Sequence, residues 1–335
     1  MNMKTTTLLV AIGLAASVTP QLHAATWGGG TGNWTDSANW DIAGYPGDAA
    51  NESEPANLIP GGTAFIGTGD TINLTDSQNY QSATTTVNQS GGDFTVGNNV
   101  RVGNAWNLSG GSMTFTNGMV FYIHGSGAEV NVSGGTFSTN SLKWSGPADI
   151  SVSGGSFDNT GIMTLENQTG SISIIGSSAT MARANTIKLA GGTDPKTANF
   201  TFDESGVTYW EAFGGSATTL FLDSSSFLNV DLGTYDAVSG ENLFVYNIRD
   251  TGVSGTFDTA NISVTGDTFG GAFSLGTGPG SLNPGEYFID YKVDFGSSDG
   301  AVVLYANNVI PEPSTFALLG IALLALAGLG RRKSL

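Results

Sequence analysis

Between Gln89 and Leu189 apolar and polar residues alternate in short bursts, such as Val130 and Val132 or Ile150 and Val152, and the bursts end on one recurring phrase. Ser90-Gly91-Gly92, Ser109-Gly110-Gly111, Ser133-Gly134-Gly135 and Ser153-Gly154-Gly155 return at steps of 19, 24 and 20 residues, with Gly176-Ser177-Ser178 as a degenerate fifth copy. Period-two alternation predicts strands with one buried face. Self-similarity at this spacing predicts a solenoid.

Each copy has one grammar. After Ser-Gly-Gly comes a large apolar residue, Phe94, Met113, Phe137, Phe157 or Met181, and then a second corner marked by asparagine. Asn98, Asn117, Asn140 and Asn185 each open the pattern Asn-x-apolar-x-apolar, and Asn159 does so with one residue inserted before Ile162. The coil therefore has three short strands and three corners. Wound as a right-handed parallel β-helix, each strand pairs with its counterpart about 4.8 Å away in the next coil. The corner asparagines are then placed to stack as a hydrogen-bonded ladder, and glycine supplies corners that need positive φ. One coil cannot bury its own apolar face, so stability belongs to the stack.

On either side of residues 82–193 the pattern changes. Residues 25–81 open with Trp27, Trp34, Trp40, Tyr45 and Pro46 in a Gly-rich stretch and read as a cap followed by the first coils. The three tryptophans are expected to cover the open end of the solenoid, where an exposed strand edge invites aggregation; a glycan-stacking platform is the alternative. Residues 194–308 lose the Ser-Gly-Gly refrain but remain strand-like, and are expected to form further coils or a β-sandwich cap. The fold class is all-β, a β-solenoid with a β-rich C-terminal region.

Composition agrees: the chain has 49 Gly and 12% charged residues, and the strand-and-turn residues Ser, Thr and Asn abound. The net charge is −17, and between residues 25 and 310 it is 7 − 27 = −20. Such a surface repels phosphate backbones, which argues against a nucleic-acid partner. Without cysteine, disulfides and thiolate chemistry are excluded. Of two histidines, His23 ends the leader, leaving His124 for every imidazole role.

Both ends read as addresses. Residues 1–24 carry Lys4, an apolar stretch from Leu8 to Val18, Pro20 and small residues at Ala24 and Ala25, the pattern of a secretory signal peptide cut after Ala24 or one residue later. In residues 309–335, Phe316 to Gly330 makes a helix on the order of 22 Å long, short for a permanent span of a core about 30 Å thick but adequate for a transient one. Arg331, Arg332 and Lys333 would stay cytoplasmic and hold the rest of the chain on the far side of the inner membrane.

Pro311-Glu312-Pro313 with Ser314 and Thr315, a hydrophobic helix and a basic tip together resemble the PEP-CTERM sorting signal of Gram-negative bacteria. The proline pair keeps the segment extended, with fewer backbone donors. The resemblance implies recognition by exosortase, a membrane protease that cuts near the tripeptide, and passage to the outer surface or the extracellular matrix. It also implies a structural or adhesive role linked to exopolysaccharide or biofilm. The Trp-Gly-rich opening is similar to those before β-helical passengers of autotransporter-like surface proteins, although a translocator barrel is missing.

Catalytic chemistry is sparse. Gly296-Ser297-Ser298-Asp299-Gly300 matches the nucleophile-elbow pattern, but that elbow needs a helix after it and Ala301–Ala306 reads as a strand. Carboxylates are scattered, so a polysaccharide lyase or hydrolase is the runner-up and a non-enzymatic protein is expected. No cofactor and no dedicated metal site are expected. At the middle position of the Asn-x-apolar-x-apolar strands stand Arg101, Val120, Lys143 and Lys188. Three of the seven cations of the body would then share one face and touch an anionic glycan; lysines serving solubility alone are the alternative.

Overall fold

The computed structural model describes residues 24–47, 58–60, 63–74, 79–82, 85–116, 118–123, 127–144, 146–164, 170–176, 179–182, 186–189, 196–202, 210–211, 218–237, 244–248, 250–267, 271–291 and 300–307. They form a parallel β-solenoid. One coil shows the plan: Ala105–Leu108 lies on a first face, Ser109-Gly110-Gly111 turns the corner, Ser112–Phe115 lies on a second face and Val120–Ile123 on a third, and Ala128–Val132 returns to the first. Stacked coils make sheets of 11, 12 and 8 strands on the first, second and third faces respectively.

The alternation read from the sequence sets the interior. On the first face, Val87, Trp106, Val130, Ile150 and Ile172 stand in one register column and are buried. On the second face, Phe94, Met113, Phe137, Phe157 and Met181 form another. The Phe137 and Phe157 rings stack at 4.8 Å with planes 4° apart. A buried phenylalanine stabilises by about 1.5–3 kcal/mol, and a ring pair adds about 0.5–1.5 kcal/mol. The third face contributes Val100, Phe121, Leu142 and Met163. Polar residues interrupt the inward columns at Gln89, Thr139, Asn159 and Lys196, all buried, and Gln89 stands between Ile66 and Leu108. Its Nε2 donates to the carbonyls of Ser112 (2.8 Å) and Gly92 (3.3 Å), tying two Ser-Gly-Gly corners together from inside.

Those corners stack into a spine. The second glycine of each phrase has positive φ, +70° at Gly92 and +76° at Gly111. Its carbonyl accepts from the next coil, as in Ser112 N–H to Gly92 O at 2.8 Å and Thr136 N–H to Gly111 O at 2.9 Å. Backbone therefore packs on backbone where a side chain would stand.

An asparagine ladder is present, but it runs through the middle of the first-face strands. Asn107 Nδ2 donates to Asn88 Oδ1 at 2.8 Å and Asn131 Nδ2 to Asn107 Oδ1 at 3.0 Å; later in the same column Asn229 Nδ2 donates to Asn199 Oδ1 at 3.0 Å. At the predicted corner, Asn140 Nδ2 instead donates to Thr160 Oγ1 of the next coil at 3.3 Å, while Asn117 and Asn185 lie outside the described residues. Mid-strand positions repeat at the coil spacing with fixed register, which an amide ladder requires.

The N-terminal end is closed by aromatic packing. Trp34 is fully buried, its Nε1 donating to Pro46 O at 2.9 Å, and Trp40 Nε1 donates to Trp34 O at 2.8 Å. Trp34 meets Trp40 edge-on at 4.6 Å and continues into a stack with Phe94 and Trp106. The described residues begin with the strand Ala24–Thr26, in which the buried Ala25 pairs with Ala64.

At the other end, parallel coils continue along the first face through Lys196–Thr201, Phe227–Asp231 and Ile262–Gly266. The stack then stops by changing direction. Gly300–Asn307 runs antiparallel to both Phe244–Ile248 and Glu286–Tyr291 at the edge of the second face. Within this cap Tyr291 Oη accepts from Phe257 N–H at 3.2 Å. Burial, partly offset by that bond and reinforced by Tyr287, pushes its phenol up to about 12.

Candidate functional site

The third face is where the predicted cations fall. In register, Arg101, Tyr122, Lys143, Thr164 and Lys188 occupy one column over successive coils. The Arg101 guanidinium carbon lies 5.4 Å from the centroid of the Tyr122 ring, a cation–π distance. Arg101 and Tyr122 are half-buried and Lys143 is exposed.

Tyr122, not Val120, holds the middle position. The corner after Asn117 is two residues longer than those after Asn98 and Asn140, so the strand begins at Val120 and Phe121 pairs with Val100. Sequence reasoning missed the tyrosine because corner length is not encoded in strand periodicity; the pairing of Phe121 with the other inward residues was the available signal.

Charge is sorted between faces. The third-face strands Asn79–Ser82, Asn99–Val102, Val120–Ile123, Ser141–Trp144, Ile162–Thr164, Thr186–Leu189 and Thr218–Leu222 contain no Asp or Glu, and the last strand of that sheet, Asp250–Ser254, opens with Asp250. Exposed Asp93 lies on the second face, and exposed Glu129, Asp149 and Asp231 lie on the first.

The N-terminal tryptophans are not a stacking platform: Trp27, Trp34 and Trp40 are 4%, 0% and 6% exposed. Ser298 and His124 lie outside the described residues, and Gly300 opens a strand of 8 residues where an elbow would need a helix.

Two surface hollows on the first face hold one carboxylate each. One of about 220 Å³ is lined by Asp149, Ser171 and Thr197 among others, and Asp149 Oδ1 accepts from Ser171 N–H at 3.0 Å. The other, of about 250 Å³, includes Asp231, whose Oδ1 accepts from Gly233 N–H at 3.1 Å and Thr265 Oγ1 at 3.4 Å. Among the described residues no group of three or more His, Asp and Glu side chains is placed to hold a metal ion.

The predicted sorting residues Pro311, Glu312, Pro313 and Ser314, and the basic tip Arg331, Arg332 and Lys333, follow the last described strand, Gly300–Asn307. Among the described residues no helix is long and apolar enough to cross a membrane, and Phe316 to Gly330 lies outside them. That last strand is anchored: Val302, Val303 and Leu304 are buried, Asn307 Nδ2 donates to Leu282 O at 2.9 Å, and Gly285 N–H donates to Asn307 O at 2.8 Å. No curated protein and no solved structure matches the chain. Residues 309–333 do match the PEP-CTERM protein-sorting motif, so this β-solenoid carries a signal that implies export in a Gram-negative bacterium and processing by exosortase, a membrane protein.

Proposed function

We propose that the protein is a non-enzymatic component of the outer surface or extracellular matrix of a Gram-negative bacterium, with a structural or adhesive role in contact with exopolysaccharide. The sorting motif at residues 309–333 carries this reading, because it addresses the folded body outward. The distribution of carboxylates supports it. Glycoside hydrolysis of the common kind uses two carboxylates close together, whereas each hollow holds one, already engaged by neighbouring donors. A stack whose interior is mainly aliphatic and aromatic, with an amide ladder along one face, works by rigidity and repeated surface.

The test is the intact mass of the exported product in an exosortase-bearing host and in the same host lacking exosortase. The wild-type chain is expected to lose the segment from the tripeptide to Leu335 only when exosortase is present. A double Pro311→Ala, Pro313→Ala variant should keep that tail and remain in the membrane fraction. An intact Arg331-Arg332 terminus in the exosortase-bearing host overturns the sorting half of the proposal. Depolymerisation of a polysaccharide by purified protein overturns the non-enzymatic half.

A further inference from the structure

The third face combines strand cations with seven consecutive strands free of Asp and Glu, the eighth opening with Asp250, and it exposes Ile162 at 46%. In a body of net charge 7 − 27 = −20, three of seven cations stand in one register column of this face. We propose that this face is a binding lane for a linear polyuronate lying along the solenoid axis; the proposal rests on the matrix reading above and names its ligand.

Spacing supports this ligand. Arg101, Lys143 and Lys188 occupy every second coil, so at the strand spacing of a sheet they repeat at about 10 Å. An extended pyranose chain advances by a similar length over each disaccharide, so a polymer with a carboxylate in each repeat can meet one cation per two coils. Between Arg101 and Lys143 stands Tyr122, whose ring holds the Arg101 guanidinium 5.4 Å from its centroid and so orders the first cation of the lane. Ser141 and Thr164 add hydroxyls within the same lane. The exposed Asp93, Glu129, Asp149 and Asp231 of the other faces repel a polyanion and restrict it to this one.

Other polyanions fit less well. Binding an anionic bilayer by charge takes a cluster of about four to eight cations, and these stand in single file. Nucleic acid places phosphates about 3.4 Å apart along a strand, a closer repeat than the cations have.

The experiment uses the exported product and polygalacturonate as the probe, with dextran, anionic phospholipid vesicles and single-stranded DNA alongside, followed by titration calorimetry at low and high salt. Polygalacturonate is expected to bind at low salt and weaken as salt rises. The triple variant Arg101→Gln, Lys143→Gln, Lys188→Gln should lose affinity by about tenfold or more, as several screened surface contacts of modest strength would imply. Thr114→Glu, Ser156→Glu, Ser263→Glu makes the same change in net charge on the other faces and should stay within about twofold of wild type, since screening confines the effect of distant charges. If the triple variant unfolds, Lys143→Gln alone, at an exposed site, should still lose about threefold. The proposal is overturned if wild type ignores polygalacturonate, if both triple variants lose equally, or if vesicles or DNA bind more tightly. The mass of the same preparation reports sorting separately, so a correctly processed protein that ignores polygalacturonate refutes this lane and leaves the sorting reading standing.

Discussion

Three glycine-to-alanine substitutions separate the two demands that the Ser-Gly-Gly spine makes. Gly92 has φ +70°, and an added Cβ would stand 2.7 Å from the carbonyl oxygens of Asp70 and Gly67. Reaching an ordinary contact of about 3.4 Å requires about 0.7 Å of movement between backbones that have no side chain to yield. Moving Asp70 O by that amount would lengthen the Asp93 N–H bond to it, now 2.8 Å, to about 3.5 Å, past useful strength. Left-handed backbone in alanine costs about 1–2 kcal/mol, and one or two weakened hydrogen bonds cost about 1–3 kcal/mol, so Gly92→Ala should lose about 2–5 kcal/mol. Gly110 lacks positive φ, but its Cβ would meet Ser90 O at 2.5 Å, so Gly110→Ala reports crowding alone, about 1–3 kcal/mol. Gly118 has φ +85° with nothing within 4 Å, so Gly118→Ala reports backbone strain alone, about 1–2 kcal/mol. The gain from a stiffer unfolded chain is common to all three. Urea unfolding followed by tryptophan fluorescence ranks them. If Gly92→Ala is no worse than Gly118→Ala, the coils are not in backbone contact at this corner and the reasoning fails.

Two further outcomes test other parts of the stack. Asn107→Ala removes both ladder bonds, to Asn88 and from Asn131, and should cost about 1–2 kcal/mol in urea unfolding, with Asn107→Asp no better because it cannot donate to Asn88 Oδ1. Tyr291 holds its proton up to about 12 in the folded cap against 10.0 ordinarily. The unfolded chain therefore ionises first. Stability from this phenol is complete below pH 10 and falls as pH rises through the folded value; Tyr291→Phe should flatten that alkaline loss, and an unchanged curve would place the tyrosine in solvent.

What the sequence made legible were positions under two constraints at once. A Ser-Gly-Gly corner needs positive φ and backbone contact, and only glycine meets both, so the phrase repeats literally and the coil can be counted. The inward columns were legible for the same reason: Val130 and Ile150 must pair, and their alternation shows it. Positions under one constraint were not. Asn107 reads as any outward polar residue until its neighbour 24 residues on is known to be Asn131. Gln89 breaks the apolar column, and only its bonds to Ser112 and Gly92 give it a place. Tyr122 was hidden by a corner two residues longer than its counterparts. Beyond residue 194 the step between first-face coils lengthens from 20 residues, Val130 to Ile150, to 30 at Thr197 to Phe227 and 34 at Leu228 to Ile262, so the repeat disappears although the fold continues.

The way the stack ends bears on how the tail can be discarded. A parallel solenoid has an open edge at each end, and an open edge recruits other strands. At the N-terminal end Trp34, Trp40 and Tyr45 are buried, and on the second face the parallel run stops at a reversal that places Gly300–Asn307 between two antiparallel neighbours. That strand is the last described before the sorting motif, and its far end is held by Leu282 and Gly285. Asn307 and Pro311 are four residues apart, at most about 14 Å of extended chain. A cut at the tripeptide therefore falls just beyond Gly300–Asn307 and removes none of these strands. The motif can thus be lost in processing without unpairing Gly300–Asn307 from either neighbour.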